Sequence, residues 1–202
     1  MSRTTGIVQD VKYMEHGAGF DHPESPERLR AIYKMLELPP MAGKFIPIPP
    51  RPATIDDLKA VIQSLNENNV DYFLIGGYAL FAHGYYRATT DIDILVPSTS
   101  EQGKRVIKAL LVLPEKASEQ IDPAWFDEGE TIRVADEFIV DLLFNACGET
   151  SQTLSRYAET VDLDGIPVRT LSLEGLLLTK QTVRDKDVMD RMVLQKAIEA
   201  AK

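Results

Sequence analysis

The most informative alternation of apolar and polar residues lies between residues 72 and 96, where the chain reads YFLIGGYALFAHGYYRATTDIDILV. A short apolar run ends at Gly76-Gly77, an apolar stretch of helical length follows, and strand-like alternation begins at Asp91. The pattern predicts a strand, a glycine turn, a helix and a second strand. Because successive side chains of a strand point to opposite faces, we expect Asp91 and Asp93 on one face and the isoleucines between and after them in the core.

The pattern elsewhere predicts more helices and strands around this segment. Helices are expected after Thr54, over residues 99–113, after Ser172, and from near Asp187 to the end. One hairpin is expected to join residues 131–135 to 138–144, and a second to join 160–163 to 166–171 at Asp164-Gly165. This order predicts an α/β (α+β) fold in which helices flank a small mixed sheet, with an N-terminal appendage.

Three aspartates are candidates for a cation site. Asp91 and Asp93 place two like charges side by side on a strand, which destabilises the strand unless a cation or a turn compensates them. Asp141 interrupts the apolar run FIVDLLF, and a lone buried carboxylate requires a partner. If the two strands are neighbours in the sheet, Asp141 completes a site for two metal ions. Glycine at a turn into a helix also allows a phosphate to approach the backbone N–H groups, so we expect phosphate beside Gly76 and Gly77.

Together these residues resemble the nucleotidyltransferase superfamily of the polymerase-β type, in particular its minimal AbiEii/MNT-like members, over residues 56–200. The shared motif is a Gly-Gly or Gly-Ser turn, a helix, Asp-x-Asp on a strand and a third carboxylate one hairpin later. The resemblance implies transfer of a nucleoside monophosphate from a nucleoside triphosphate to a hydroxyl acceptor, with release of pyrophosphate. It also implies a nucleotidyltransferase fold and two Mg²⁺ ions held by the catalytic residues Asp91, Asp93 and Asp141.

The resemblance further implies residues that bind the nucleotide. They are Gly76, Gly77, Arg87, Thr90, Lys180 and Arg184. Arg87 has an alternative role, which is to pair with an acid and brace the turn before the acidic strand. Lys186, Asp187 and Asp190 are expected to form ion pairs at the turn between the last two helices. The chain departs from the family after the turn glycine, where a serine often holds phosphate, because Gly77 and Tyr78 offer no short hydroxyl.

Residues 1–52 do not continue the pattern and are expected to be an appendage, with the transferase domain over residues 53–202. Residues 5–60, including the phrase HPESPER from His22, resemble the extreme N-terminus of the histone deacetylase and acetoin-utilisation family. A hydrolytic zinc site needs three protein ligands, and the chain has no counterpart of that family's ligands. The appendage is therefore interpreted as a fragment without a complete active site, ending in a proline-rich linker. It could cover the transferase domain or form a dimer contact.

Composition limits the partners and the compartment. The 202-residue chain carries a net charge of −9 and has a pI near 4.9, which argues against a broad nucleic-acid-binding face. A single cysteine, Cys147, excludes an internal disulfide framework. No apolar run approaches the ~20 residues that span a membrane, and the N-terminus lacks a signal-peptide pattern, so we expect a cytoplasmic protein.

Two alternatives remain open at this level. The chain could be a nucleotidyltransferase-like antitoxin or regulatory module that binds a partner protein without turnover, because it is small and lacks an acceptor domain. It could also modify a small molecule, such as an aminoglycoside, by the same chemistry. The sequence identifies the nucleoside triphosphate as a ligand by resemblance, but it leaves open the acceptor and the choice between a protein partner and a homodimer.

Overall fold

The computed structural model describes residues 5–8, 34–35, 45–48 and 50–200. The chain divides into two compact units, residues 1–51 and 52–202. In the first unit, strand β1 (Thr5–Val8) pairs in parallel with strand β2 (Phe45–Ile48). The second of these strands lies in the segment that was expected to be only a linker. His22 and the rest of the HPESPER phrase lie outside the described residues.

The second unit is built on a six-stranded mixed sheet, which confirms the predicted fold class. Its strands are β3 (Phe73–Ile75), β4 (Asp91–Leu95), β5 (Ile132–Ala135), β6 (Ile139–Leu143), β7 (Ala158–Leu163) and β8 (Ile166–Leu171). The strand order is β5-β6-β4-β3-β8-β7. The two inner neighbours β3 and β4 are antiparallel, while β4 with β6 and β3 with β8 are parallel. Both predicted hairpins form, as the antiparallel pairs at the two edges.

Helices flank this sheet. They are α1 (Ile55–Glu67), α2 (Gly76–Ala82), α3 (Ser100–Ala109), α4 (Trp125–Glu128), α5 (Ser151–Leu154), α6 (Leu173–Leu178) and α7 (Asp185–Ala200). Local signals set their starts: the Thr54 hydroxyl accepts from the Asp57 N–H while the Asp57 carboxylate accepts from the Thr54 N–H, a capping box. The Ser172 hydroxyl accepts from the N–H of Gly175 and caps α6, which therefore begins where the sequence predicts.

The sheet has one face in the core and one face that carries the acids. Ile92 and Ile94 of β4 are fully buried, as are Val140 and Leu142 of β6. They pack in one core cluster with the buried stripe of α1, formed by Leu58, Val61, Ile62 and Leu65. Alternation along each strand therefore sends the aspartates of β4 and β6 to the opposite face. Within the described residues, no helix combines the length and apolar character needed to cross a membrane.

Candidate functional site

Asp91, Asp93 and Asp141 come together on the acidic face of the sheet. Strands β4 and β6 are parallel neighbours, and their register places Asp93 directly beside Asp141. One carboxylate oxygen from each of the three residues lies within 4.8 Å of the others. Asp141 is buried, and the other two are half-buried. The structure thus brings together the three acids that the sequence singled out, in a geometry that could hold a metal ion.

Ionisation within the cluster is unfavourable at Asp93. The pKa of Asp93 is raised to about 7, chiefly by burial and then by the charges of Asp91 and Asp141, while Lys180 and Lys186 act in the opposite direction. Desolvation and like charges both disfavour a carboxylate anion. A cation bound among these oxygens would remove that penalty, so the electrostatics of the site favour cation binding.

Asp141 has a cationic partner that the sequence analysis did not identify. Arg133 of β5 donates from Nε to Oδ1 and from one terminal nitrogen to Oδ2 of Asp141, both at 2.7 Å. The pair is bidentate and mostly buried, with side chains 14% and 8% exposed. The predicted hairpin, with its turn at residues 136–137, would place Arg133 opposite Val140, whereas the observed register pairs Ala135 with Ile139 and so places Arg133 opposite Asp141. Each carboxylate oxygen has a second lone pair, so this arginine orients the carboxylate and leaves it able to bind a metal.

The two glycines at the start of α2 are required by side chains of the site. Gly76 has φ +70°, and a Cβ added there would lie 1.9 Å from Oδ2 of Asp93. A Cβ at Gly77 would lie 2.6 Å from the Cβ of Thr89. The Thr89 hydroxyl in turn donates to Oδ1 of Asp91 at 3.3 Å. The glycines therefore leave room for the side chains of Asp93 and Thr89. The sequence analysis expected that room only for a phosphate.

Arg87 and Lys180, two predicted nucleotide ligands, are engaged by buried acids of α7. Nε of Arg87 lies 2.8 Å from Oδ1 of Asp190, and Nζ of Lys180 lies 3.1 Å from Oδ2 of the same residue and 3.4 Å from Asp187. Asp190, Asp187 and Lys180 are each less than one-tenth exposed. Arg87 therefore has its alternative role, an ion pair with an acid before the acidic strand. Asp187 and Asp190 each form ion pairs with a basic residue, as expected.

Hydrogen bonds complete this buried network at the turn before α7. Burial alone would raise the pKa of Asp187, but the hydrogen bond from the Thr182 hydroxyl and the charge of Lys180 outweigh it, so the pKa is lowered. One terminal nitrogen of Arg191 donates to the carbonyl oxygens of Lys180 and Thr182, at 2.5 and 2.6 Å. The turn that carries Lys180 is thereby fixed to α7.

The last two predicted nucleotide ligands lie on the surface. Thr90 is exposed, and its carbonyl accepts from the N–H of Ala53. Arg184 is also exposed and precedes α7. His83 is the residue that caps the C-terminal end of α2, and its Nε2 lies 2.9 Å from the carbonyl oxygen of Leu171. This contact gives His83 a structural role away from the three acids.

No family model and no curated protein matches the chain. Among solved structures it is similar to a "putative nucleotidyltransferase" from Thermotoga maritima, at 16% identity and a TM-score of 0.42, over 73% of this chain and 88% of that one. It is also similar to an antigenic nucleotidyltransferase-like protein from Paracoccidioides brasiliensis, at 19% identity and a TM-score of 0.44, over 71% and 77%. These identities are too low to assign a function, which has to be inferred from the residues of the site.

Proposed function

We propose that the protein is a metal-dependent nucleotidyltransferase that moves a nucleoside monophosphate from a nucleoside triphosphate to a hydroxyl acceptor. The observation that carries the proposal is the cluster of Asp91, Asp93 and Asp141, whose oxygens lie within 4.8 Å of one another on two neighbouring strands. A set of partly buried, mutually repelling carboxylates destabilises a fold unless a cation compensates it, and such sets are concentrated at functional sites. Its position beside the glycine turn suits the triphosphate chemistry that the sequence resemblance implies.

The donor set fits Mg²⁺. Carboxylate oxygens are hard ligands, and Mg²⁺ typically takes one or two carboxylates from a protein together with phosphate oxygens and water. Asp91, Asp93 and Asp141 would hold the ions, two in number as the family resemblance implies. When bound, such ions neutralise charge on the triphosphate and on the departing pyrophosphate.

The residues around the acids have separate roles in this proposal. Asp141 would accept the proton of the attacking hydroxyl, and Arg133 would hold the carboxylate in orientation through its two hydrogen bonds. Arg184 is exposed and could contact the triphosphate without breaking a buried ion pair. Arg87 and Lys180 would act mainly by positioning, because their charges are already paired with Asp190.

The test is a transfer assay with purified protein, Mg²⁺, α-labelled nucleoside triphosphates and cell lysate as the source of acceptor. Label should appear on a protein, an RNA or a small molecule with the wild type and be lost with Asp93→Asn and Asp141→Asn. Asp56→Asn is the matched control, because it makes the same atomic change at an exposed position in the first turn of α1. Circular dichroism would verify that every variant is folded.

Retained transfer in Asp93→Asn would refute the assignment of the site. Absence of any label, together with absence of Mg²⁺-dependent nucleotide binding in a calorimeter, would refute the transferase proposal as a whole. That second result would favour the alternative of a partner-binding module without turnover.

A further inference from the structure

Helix α7 has two faces of different character. Its inner face is buried and includes Asp187, Asp190, Leu194 and Ala197. Its outer face carries apolar side chains that are exposed to solvent: Val188 (37%), Met189 (68%), Met192 (55%) and Val193 (41%). Four exposed apolar residues on adjacent turns of one helix form a continuous stripe, which is typical of an interaction surface.

Charged residues close this stripe at both ends. At 100° per residue, Asp185 and Lys196 fall on the centre line of the stripe, one before the apolar residues and one after them. Both side chains are exposed, and among the described residues neither has an ion-pair partner in its own chain. We call the six residues Asp185, Val188, Met189, Met192, Val193 and Lys196 the outer seam.

The outer seam is complementary to a second copy of itself that runs in the opposite direction. Its midpoint lies between residues 190 and 191, and reversal about that point exchanges Asp185 with Lys196, Val188 with Val193, and Met189 with Met192. Opposite charges and equal side chains thus fall at the same level of two antiparallel helices. Such self-complementarity is what a two-fold symmetric interface requires, because the same surface has to serve both copies.

We propose that α7 is a homodimer interface, in which the outer seam packs antiparallel against the outer seam of a second copy of this chain. The four methionines at the centre would interdigitate, since unbranched thioether side chains adapt to irregular gaps. Asp185 of each copy would pair with Lys196 of the other at the two ends. A parallel arrangement is disfavoured, because it would place Asp185 against Asp185 and Lys196 against Lys196.

The size of the seam sets the strength of the dimer. A standard stable interface buries about 800 Å² on each partner, and the outer seam offers four partly exposed apolar side chains. The contact therefore belongs to the small, reversible class of interfaces. Association should be visible at protein concentrations of ~10–500 μM and be lost on dilution.

The experiment is sedimentation equilibrium of the full chain over that concentration range. Met192→Glu should weaken self-association about 100-fold, because it buries two charges at the centre of the interface. Lys196→Asp should weaken it about 10-fold, since both end pairs become repulsive. The double variant Asp185→Lys, Lys196→Asp exchanges the charges within each pair and should return the dissociation constant to within ~3-fold of the wild type.

Controls and outcomes follow from the same geometry. Lys104→Asp is the control for Lys196→Asp, because Lys104 is an exposed residue of α3 and the charge change is the same. Val112→Glu is the control for Met192→Glu, because Val112 is an exposed apolar residue outside the outer seam. Both control variants should dimerise like the wild type. Melting temperatures would verify that α7 is intact in each variant. A chain that stays monomeric at 500 μM would overturn the proposal. That result would favour a different occupant of the outer seam, either residues 1–51 or another protein. A dimer that ignores Met192→Glu, or that the double variant does not restore, would overturn it equally.

Discussion

Replacing Asp93 by asparagine should stabilise the metal-free protein. The pKa of Asp93 is raised from 3.8 to about 7, chiefly by burial. At about 1.4 kcal/mol per pKa unit, a shift of that size corresponds to roughly 4 kcal/mol of unfavourable ionisation near neutral pH. Asparagine keeps the shape and removes the charge, so we expect Asp93→Asn to raise the free energy of unfolding by about 2–4 kcal/mol at pH 8. The melting temperature should rise by roughly 5–15 °C.

The sign of the effect depends on pH and on metal. Because the folded-state pKa of Asp93 lies above its unfolded value, the wild type is free of this penalty below about pH 3.8 and loses stability as pH rises toward 7. The difference between wild type and variant should therefore vanish near pH 3.5 and reach its maximum above pH 7. Added Mg²⁺ at pH 8 should stabilise the wild type and have little effect on Asp93→Asn, because the variant has lost a ligand and the repulsion that favours binding.

The assay is urea denaturation at 25 °C in buffers from pH 3.5 to 8, with EDTA or with millimolar Mg²⁺. Asp56→Asn serves again as the control, and it should follow the wild type at every pH because Asp56 is exposed. Equal or lower stability of Asp93→Asn at pH 8 in EDTA would refute the reasoning. It would mean that burial and the neighbouring carboxylates do not destabilise the ionised Asp93.

Three further changes test other parts of the site, all by the same denaturation assay. Arg133→Met should destabilise the protein by about 3–5 kcal/mol, because it leaves the buried Asp141 carboxylate without its bidentate partner; a loss below 1 kcal/mol would contradict this. Gly76→Ala should lose several kcal/mol through the clash with Asp93 and its φ of +70°. Adding Asp93→Ala should recover the larger part of that loss, because it removes the carboxylate atoms at 1.9 and 2.7 Å and leaves only the Cβ contact at 2.9 Å and the backbone strain. An additive double variant would show that the two residues do not touch. Asp190→Asn should cost about 3 kcal/mol by removing the anion that pairs with the buried Lys180 and the half-buried Arg87, and unchanged stability would exclude that network as a structural element.

The sequence predicted those features that depend on local signals. The capping threonine Thr54 fixes the start of α1 and the Asp164-Gly165 turn fixes a hairpin, and both depend on residues close together in the chain. Alternation around Asp91 and Asp93 predicted which face of β4 carries the acids, because the side-chain period of a strand is two. The shared face of Asp141 followed from the same rule applied to β6.

The features that escaped prediction depend on contacts between distant parts of the chain. The ion pair between Arg87 and Asp190 joins the approach to β4 with a helix about 100 residues later, and sequence spacing carries no signal for it. The contact of Arg133 with Asp141 depends on the exact register of the hairpin, which pairs Ala135 with Ile139, one residue later than the predicted bounds imply. The family resemblance also assigned Lys180 to the triphosphate, whereas the buried partners of its charge become visible only when α7 is packed.

The pairing of charges explains why the site should prefer a divalent cation. Arg87 and Lys180 are balanced by Asp187 and Asp190, so this buried network is neutral by formal charge. When all three acids are ionised, above the pKa of about 7 of Asp93, Arg133 balances one negative charge and two remain, on Asp91 and Asp93. In the protein without nucleotide, the first divalent ion to bind would neutralise that remainder, whereas a monovalent ion would leave one charge uncompensated at half-buried oxygens. The acids of α7 therefore contribute to metal affinity indirectly, because they hold Lys180 in ion pairs that limit how far its charge can compensate Asp93.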